Sequence, residues 1–593
     1  MKFKKAFLII CLIVCLFCVS GVCAGDAGDN LTANDLNDDA VASDLNSQVA
    51  AFEDNLDDDA LSANASDELS FDMTKEVVSA SPKTFADLND DVKNVTDNKI
   101  YLKGNYKFDS DKDSSFKDGV RITASGVTVY GKGHKIDANN LARIFIVKNC
   151  VFRDVIFVNA NTTKSGGAVN GNNVTFINCK FVNNYASTGG AIYATGTCTV
   201  SKCTFNFNSA KFKGGAIFST GPATARQSKF TGNYANSGGG AVSTGNKFVA
   251  SGSTFTRNSA KHGDGGAIRC KSLNIAKSSL LSNSATNMGG AIYVYDTVLA
   301  KVSNSFFKYN SANGLGGAIN AFKGHIVRSG FTSNKGSSGG AVYLSTGSIY
   351  YSRFVTNSAK AKGGAVLIPR APKIMNSVFI KNKATTVGGA VNSGNELASG
   401  VGLMSGCKFV SNSAKEAGAA KTDSRVVSCT FNYNTAKTCA GALWGGDAVK
   451  CTFTKNTVSN GKGGAMYKGS ARGCSFKSNT ANEGITTYDT KLSVYPATLS
   501  IDRYDNNVVV TLKDNNGNPV KGYKLELTLW HSGHNDEGPV VEYLTTDGNG
   551  EAVFSPDFDL DDYTDGVKTV TWKVNNAYYL YATTTKDLYD RTG

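Results

Sequence analysis

The stretch FVNNYASTGGAIYATG at residues 181–196 decides the fold, because the chain says it again: FNFNSAKFKGGAIFSTG starts at 205 and FTGNYANSGGGAVSTG at 230. Each copy holds a Phe, an Asn three residues later and a Gly-Gly-Ala. Gly-Gly-Ala begins at residues 166, 189, 214, 239, 265, 289, 316, 339, 363, 388 and 463, with degenerate copies at Ala417-Gly418-Ala419 and Ala440-Gly441-Ala442. The Phe and Asn keep the same beat as Phe181 and Asn184, Phe205 and Asn208, Phe230 and Asn233, Phe255 and Asn258, Phe307 and Asn310, Phe354 and Asn357, Phe431 and Asn434, and Phe453 and Asn456. Phe331, Phe379, Phe409 and Phe476 belong to it too, and Leu280 takes one turn of it. A repeat at a fixed period outranks local propensity in assigning a fold.

A period in the low twenties without an L-x-x-L-x-L skeleton excludes the leucine-rich repeat and fits a parallel β-helix. Its strands are short, β-branched or aromatic runs such as VTFINCKFV (174–182) and GAIYA (190–194), bounded by Gly, Asn and Ser. Roughly 14 to 16 turns at about 4.8 Å predict a stack on the order of 70 Å long. Each turn buries its inward residues against its neighbours, which lets a solenoid outgrow a single globular core. The paired glycines predict a corner with positive φ or a close approach of backbones. The Ala after them predicts a cramped inward slot. The Asn predicts a turn residue in the left-handed region that hydrogen-bonds to its copy one turn away. All these roles are structural.

These residues carry a resemblance. The paired signature GGA[IVL] and F-x-x-N is similar to the repeat of the polymorphic outer-membrane proteins, over about residues 143–485. The whole layout resembles the adhesin-like surface proteins of methanogenic archaea. What the resemblance implies is a right-handed parallel β-helix, pectate-lyase-like in its solenoid, displayed at a cell surface. Polymorphic outer-membrane proteins end in a membrane β-barrel, and nothing after residue 489 has that length or spacing, which favours the archaeal group.

Either side of the repeats the composition changes. MKFKK, an apolar run and Val22-Cys23-Ala24 predict a signal peptide over residues 1–24, the rival being an uncleaved anchor. Residues 25–80 read as an acidic disordered spacer: between 25 and 74 there are 14 Asp or Glu and no Lys or Arg. Residues 81–142 predict an N-terminal cap and the first irregular turns, with Thr84 capping a short helix and Asp87 at its third position. The regular β-helix is expected over 143–488. Residues 489–593 alternate like strands between N-G and D-G turns, which predicts an immunoglobulin-like β-sandwich. Asn518-Pro519-Val520 and Thr546-Asp547-Gly548 resemble the turns of bacterial Ig-like repeats.

Charge separates the functional classes. The chain carries 62 Lys or Arg against 49 Asp or Glu, a net +13. Between Ser165 and Ile485 there are 35 Lys or Arg and only seven carboxylates (Asp264, Asp296, Glu396, Glu416, Asp423, Asp447 and Glu483), a net +28. A polysaccharide hydrolase needs two carboxylates within reach of one sugar ring, and a calcium-assisted lyase needs several around the ion. Scattered acids do not supply that, so the expected protein is no enzyme and uses no cofactor or metal. The early aspartates, Asp109, Asp111, Asp113, Asp118, Asp137 and Asp154, keep a polysaccharide-cleaving alternative open. The basic rod predicts an anionic partner, a cell-surface or cell-wall glycan, with self-association through the acidic segment, a purely structural wall scaffold and a merely solvated surface as competing readings. Nucleic acid is disfavoured for an exported chain without a nucleic-acid-binding motif.

Of 14 cysteines, four fall in the signal peptide. Cys179, Cys203, Cys407, Cys429, Cys451 and Cys474 all stand two residues before the repeat's Phe or its equivalent, so they form inward columns. Parallel Cβ vectors about 4.8 Å apart suit a disulfide poorly, which predicts buried thiols serving as small hydrophobes. Cys150, Cys198, Cys270 and Cys439 stand off the column. His531 and His534 in WHSGHNDE (530–537) read as a surface loop, and His134, His262 and His325 are isolated.

Overall fold

The computed structural model describes residues 81–394, 402–483 and 486–493 and, further on, Pro519 and the segments 498–504, 506–513, 524–529, 540–556, 567–571 and 584–586. The expected signal peptide and acidic spacer, Glu396, and the pair His531 and His534 lie outside the described residues.

From Lys99 to Ser493 the chain winds into a parallel β-helix. One turn runs through Ile192–Ala194, Cys198–Ser201, Thr204–Asn206 and Ser209–Ala210. Like residues then meet like across turns: Ile192 pairs with Val169 and Ile217, Phe205 with Phe181 and Phe230, and Ala210 with Ala186 and Ala235. Three faces result. The Gly-Gly-Ala strands and the segments after them join a 29-stranded sheet, the Phe strands a 16-stranded sheet and the short Ser-Ala strands a 12-stranded one. Sixteen strands at about 4.8 Å make a stack roughly 70 Å long.

The Phe column is the axis of the core. Phe181 and Phe205 stack with centroids 4.6 Å apart and planes 2° apart, and Phe205 and Phe230 repeat this at 4.7 Å. A centroid distance beyond plane contact means offset stacking, which the ring quadrupole favours. Leu280, fully buried, divides the column into one run ending at Phe255 and a second starting at Phe307.

The Gly-Gly corner depends on having no Cβ. Gly189 has φ +63°, and a Cβ there would fall 2.2 Å from the Ile192 carbonyl oxygen; on Gly190 it would fall 2.1 Å from the carbonyl oxygen of Gly215 in the next turn. The first glycine is needed for its dihedral and the second for the stacking distance. In the degenerate copies Ala417 and Ala440 take the first position at φ 54°.

The turn chemistry corrects one expectation. The left-handed residue is the one before the ladder Asn: Asn183 (φ 56°), Phe207 (φ 55°), Gly232 (φ 63°) and Arg257 (φ 54°). A second left-handed corner precedes the Cys column, at Asn178 (φ 54°) and Lys202 (φ 54°). The chain reverses on outward residues of any type, and the Asn that follows can turn its carboxamide inward.

At the N-terminal end, the helix Phe85–Lys93 buries Phe85, Leu88 and Val92 in the same core as the first turns. Thr84 accepts from the Asp87 N–H while the Asp87 carboxylate accepts from the Thr84 N–H, a reciprocal capping box. After the β-helix come two antiparallel sheets, one of three strands within residues 498–554 and one of four within 524–586. Among the described residues no helix is long and apolar enough to cross a membrane.

Candidate functional site

The inward columns are occupied by structural chemistry. Asn184, Asn208, Asn233, Asn258, Asn310, Asn357, Asn434 and Asn456 are fully buried. The Oδ1 of Asn208 accepts from both the backbone N–H (3.1 Å) and the Nδ2 (2.8 Å) of Asn184, and its own Nδ2 donates to the Phe181 carbonyl (3.0 Å) and the Asn233 Oδ1 (3.0 Å). The same bonds continue along the column to Asn479.

The thiols do more than fill space. Cys179 N–H donates to Cys203 Sγ, Cys407 N–H to Cys429 Sγ, Cys429 N–H to Cys451 Sγ and Cys451 N–H to Cys474 Sγ, each at 3.4 Å. Between the two cysteine runs the position belongs to serine, and Ser228 N–H donates to Ser253 Oγ at 3.1 Å in the same way. Sequence reading missed these serines because it sorted the column by element, whereas the column selects a small side chain that can both accept and donate. All ten cysteines of the described residues are free thiols. Burial pushes Cys150 and Cys198 up to about 12 and Cys179 and Cys429 well above the ordinary thiol value. Those four are inert, because reactivity needs the thiolate, whereas hydrogen bonds from the neighbouring thiols push Cys203 and Cys451 the other way.

Function therefore has to sit on outward positions. In each Gly-Gly-Ala strand the residue after the buried aliphatic points outward. Parallel register aligns these residues in one column that includes Tyr193, Phe218, Arg269, Tyr293, Tyr343, Lys421, Trp444, Tyr467 and Tyr488. Strand propensity alone favours aromatics on any sheet surface. The Phe sheet offers the comparison: its outward position before the Phe carries Lys180, Thr204, Lys229, Thr254, Ser279, Arg353, Val378, Lys408, Thr430, Thr452 and Ser475, with Phe306 its one aromatic past Phe181. Aromatics recur in the Gly-Gly-Ala column more than at the position before the Phe, while Tyr185, Phe207, Phe212, Tyr309 and Tyr433 are exposed elsewhere on the turns.

Cations accompany the rings. Arg269 lies over the Tyr295 ring at 4.4 Å, Lys421 over Trp444 at 4.4 Å, Lys462 over Tyr488 at 4.5 Å and Lys468 over Tyr467 at 5.6 Å. Near Arg269, burial raises the Asp264 carboxyl against the opposing Met288 N–H and Arg269, while Asp296 is held low by the Thr297 N–H and by Lys271, 3.5 Å away. At the far end Lys462 donates to Tyr488 Oη at 3.0 Å and pairs with Glu483 at 3.0 Å, which keeps its ammonium charged.

The remaining acids are tied into the scaffold. Asp113, fully buried, accepts from the N–H groups of Phe85, Ala86 and Asp109. Asp109 accepts from the Asp111 N–H and lies 3.7 Å from Lys112, and Asp118 pairs with Lys164 at 2.5 Å. Asp137 accepts from Asn139 and Asn159, Asp154 from Asn178, and Asp447 pairs with Arg472 at 2.7 Å. His325 meets Ser348 Oγ at 2.7 Å. Among the described residues no group of three or more His, Cys, Asp or Glu gathers as metal ligands would.

Comparison with known proteins adds the following. Residues 252–271, which span Phe255, Asn258 and Gly265-Gly266-Ala267, match the Chlamydia polymorphic membrane protein repeat. No curated protein matches the chain. Similar solved structures include a tailspike protein mutant of E. coli bacteriophage HK620 in complex with a pentasaccharide, 13% identical with a TM-score of 0.34, covering 79% of this chain and 85% of that one. A double mutant of that tailspike is 12% identical with a TM-score of 0.27, over 77% of this chain and 83% of its own.

Proposed function

We propose that the protein is an exported, adhesin-like surface protein whose β-helix binds acidic cell-surface or cell-wall polymer without cleaving it. The observation that carries this reading is the outward column with Tyr193, Phe218, Tyr293, Tyr343, Trp444, Tyr467 and Tyr488, whose C-terminal rings have Lys421, Lys462 and Lys468 over them. A repetitive face offers many weak contacts along a polymer, and their sum gives avidity without a deep pocket. The +28 between Ser165 and Ile485 supports an anionic partner. The N-terminal signal-like run and the surface-protein repeat over 252–271 support export. In this reading the two C-terminal sheets form an Ig-like module that spaces the β-helix from its attachment.

The competing function is polymer cleavage, and one observation favours it. Burial raises the Asp264 carboxyl above its ordinary range, while the Thr297 N–H holds Asp296 below it, so two carboxyls on adjacent turns are pushed in opposite directions. One assay separates the two: incubate the full chain with polygalacturonate and score retention and chain length together. Salt-sensitive retention of intact polymer is expected. Shortened polymer, lost in Asp264→Asn or Asp296→Asn, overturns the binding-only reading.

A further inference from the structure

The polymer-binding reading can be narrowed to one place and one sugar chemistry, on which the following rests. We infer that the C-terminal turns of the β-helix hold a subsite for a uronic acid residue, stacked on Trp444 and Tyr467 and paired through its carboxylate with Lys421 and Lys468.

Parallel register sets Lys421, Trp444, Tyr467 and Tyr488 on four successive turns of the same outward column. Trp444 and Tyr467 meet at 5.7 Å and 86°, so one ring forms a floor and the other a wall. Their undersides rest on a buried apolar patch of Val387, Ala417 and Ala440, which fixes both rings before any ligand arrives. Tyr467 and Tyr488 then stack with planes 6° apart and centroids 5.7 Å apart, which continues the row of rings along the turns. A pyranose presents one face of C–H groups with slight positive charge, which suits an aromatic floor for the reason that a cation does.

The lysines decide the sugar class. Lys462 is already committed to Tyr488 and Glu483. Among the described residues no carboxylate forms an ion pair with Lys421 or Lys468, although both lie against the rings. Lys421 lies over the Trp444 ring at 4.4 Å and Lys468 over the Tyr467 ring at 5.6 Å, so the two ammonium groups flank the pair of crossed rings. A neutral sugar satisfies the rings and leaves this charge idle. A bare phosphate satisfies the charge and has no use for two orthogonal rings. A sugar carboxylate uses both, through charge-assisted hydrogen bonds at the edge of the stack.

Trp444 reports on the site directly, since the chain's other two tryptophans, Trp530 and Trp572, lie beyond the β-helix. Titrate the full chain with polygalacturonate, with its methyl ester and with dextran, following tryptophan emission. The acid polymer is expected to shift the emission and to bind at least about tenfold tighter than the ester, as a desolvated charge pair implies. The Lys421→Gln, Lys468→Gln double variant should lose about that factor for the acid polymer alone; with affinity read instead by retention on immobilised polygalacturonate, Trp444→Phe should retain binding while Trp444→Ala loses it. The lysine variants keep the test valid if Trp444→Ala misfolds. Equal binding of acid and ester, or an affinity unmoved by the lysine changes, overturns the subsite and leaves polymer binding standing. No binding of any acidic polymer overturns both.

Discussion

Asn258 closes four hydrogen bonds inside the wall of the β-helix: its Oδ1 accepts twice from Asn233, and its Nδ2 donates to the Phe230 carbonyl and the Asn283 Oδ1. Truncation to Ala strands buried groups on the turns before and after it, each worth about 1–3 kcal/mol when left unpaired. Asn258→Ala should therefore cost about 4 kcal/mol in urea unfolding, and a cost under about 1 kcal/mol would show that water enters the wall instead. The thiol column gives a sharper test because nature has run half of it. Cys429 accepts the Cys407 N–H and donates to the Val427 carbonyl, and Ser253 makes the same pair of bonds further up. Cys429→Ser should fold with a change below about 1 kcal/mol, whereas Cys429→Ala leaves the Cys407 N–H without its partner and should cost about 1–3 kcal/mol. The reverse order would restore the reading of these thiols as plain hydrophobes.

At the scale of the strand and corner, the second glycine of each repeat matters most. A Cβ on Gly215 would stand 2.1 Å from the Gly240 carbonyl oxygen and 2.4 Å from that of Tyr234, both backbone, while one on Gly548 would meet nothing within 4 Å. Gly215→Ala should cost about 4 kcal/mol or more and Gly548→Ala next to nothing by thermal unfolding. Such corners are why the β-helix was legible in the sequence: stacking forces Gly, Ala, Phe and Asn to recur, and recurrence survives when propensity does not. The αL residues were misassigned for the opposite reason, since Phe207, Gly232 and Arg257 share a dihedral and no chemistry. The cap obeys pH. Burial opposes the Asp91 charge, but hydrogen bonds from Tyr106, Lys103 and Lys83 outweigh it and hold the carboxyl below its ordinary range. The unfolded chain then binds the proton more readily, so this stability is present above about pH 4 and is lost as pH falls through the folded value. Hydrogen exchange of the helix Phe85–Lys93 should quicken on that acid limb, and Asp91→Asn should flatten the dependence.

Across the whole β-helix, the outward column was invisible in the sequence because its members share only a direction. Tyr193, Arg269, Lys421 and Trp444 look unrelated until register aligns them. The charge was visible, and it makes the last prediction. With 35 basic and seven acidic residues between Ser165 and Ile485, the field over this surface extends about one Debye length, roughly 30 Å at 0.01 M salt and about 3 Å at 1 M. A polymer lying along the stack meets many cations at low salt and only those in direct contact at high salt. Retention on polygalacturonate should thus fall steeply from 0.01 M to about 0.15 M and then level at a residue contributed by ring stacking. The floor should vanish in Trp444→Ala and persist in Lys421→Gln, while the steep part, carried by many cations, should persist in both. Retention flat across that range would mean that the charge serves only to keep the solenoid in solution, and that the aromatic column acts alone.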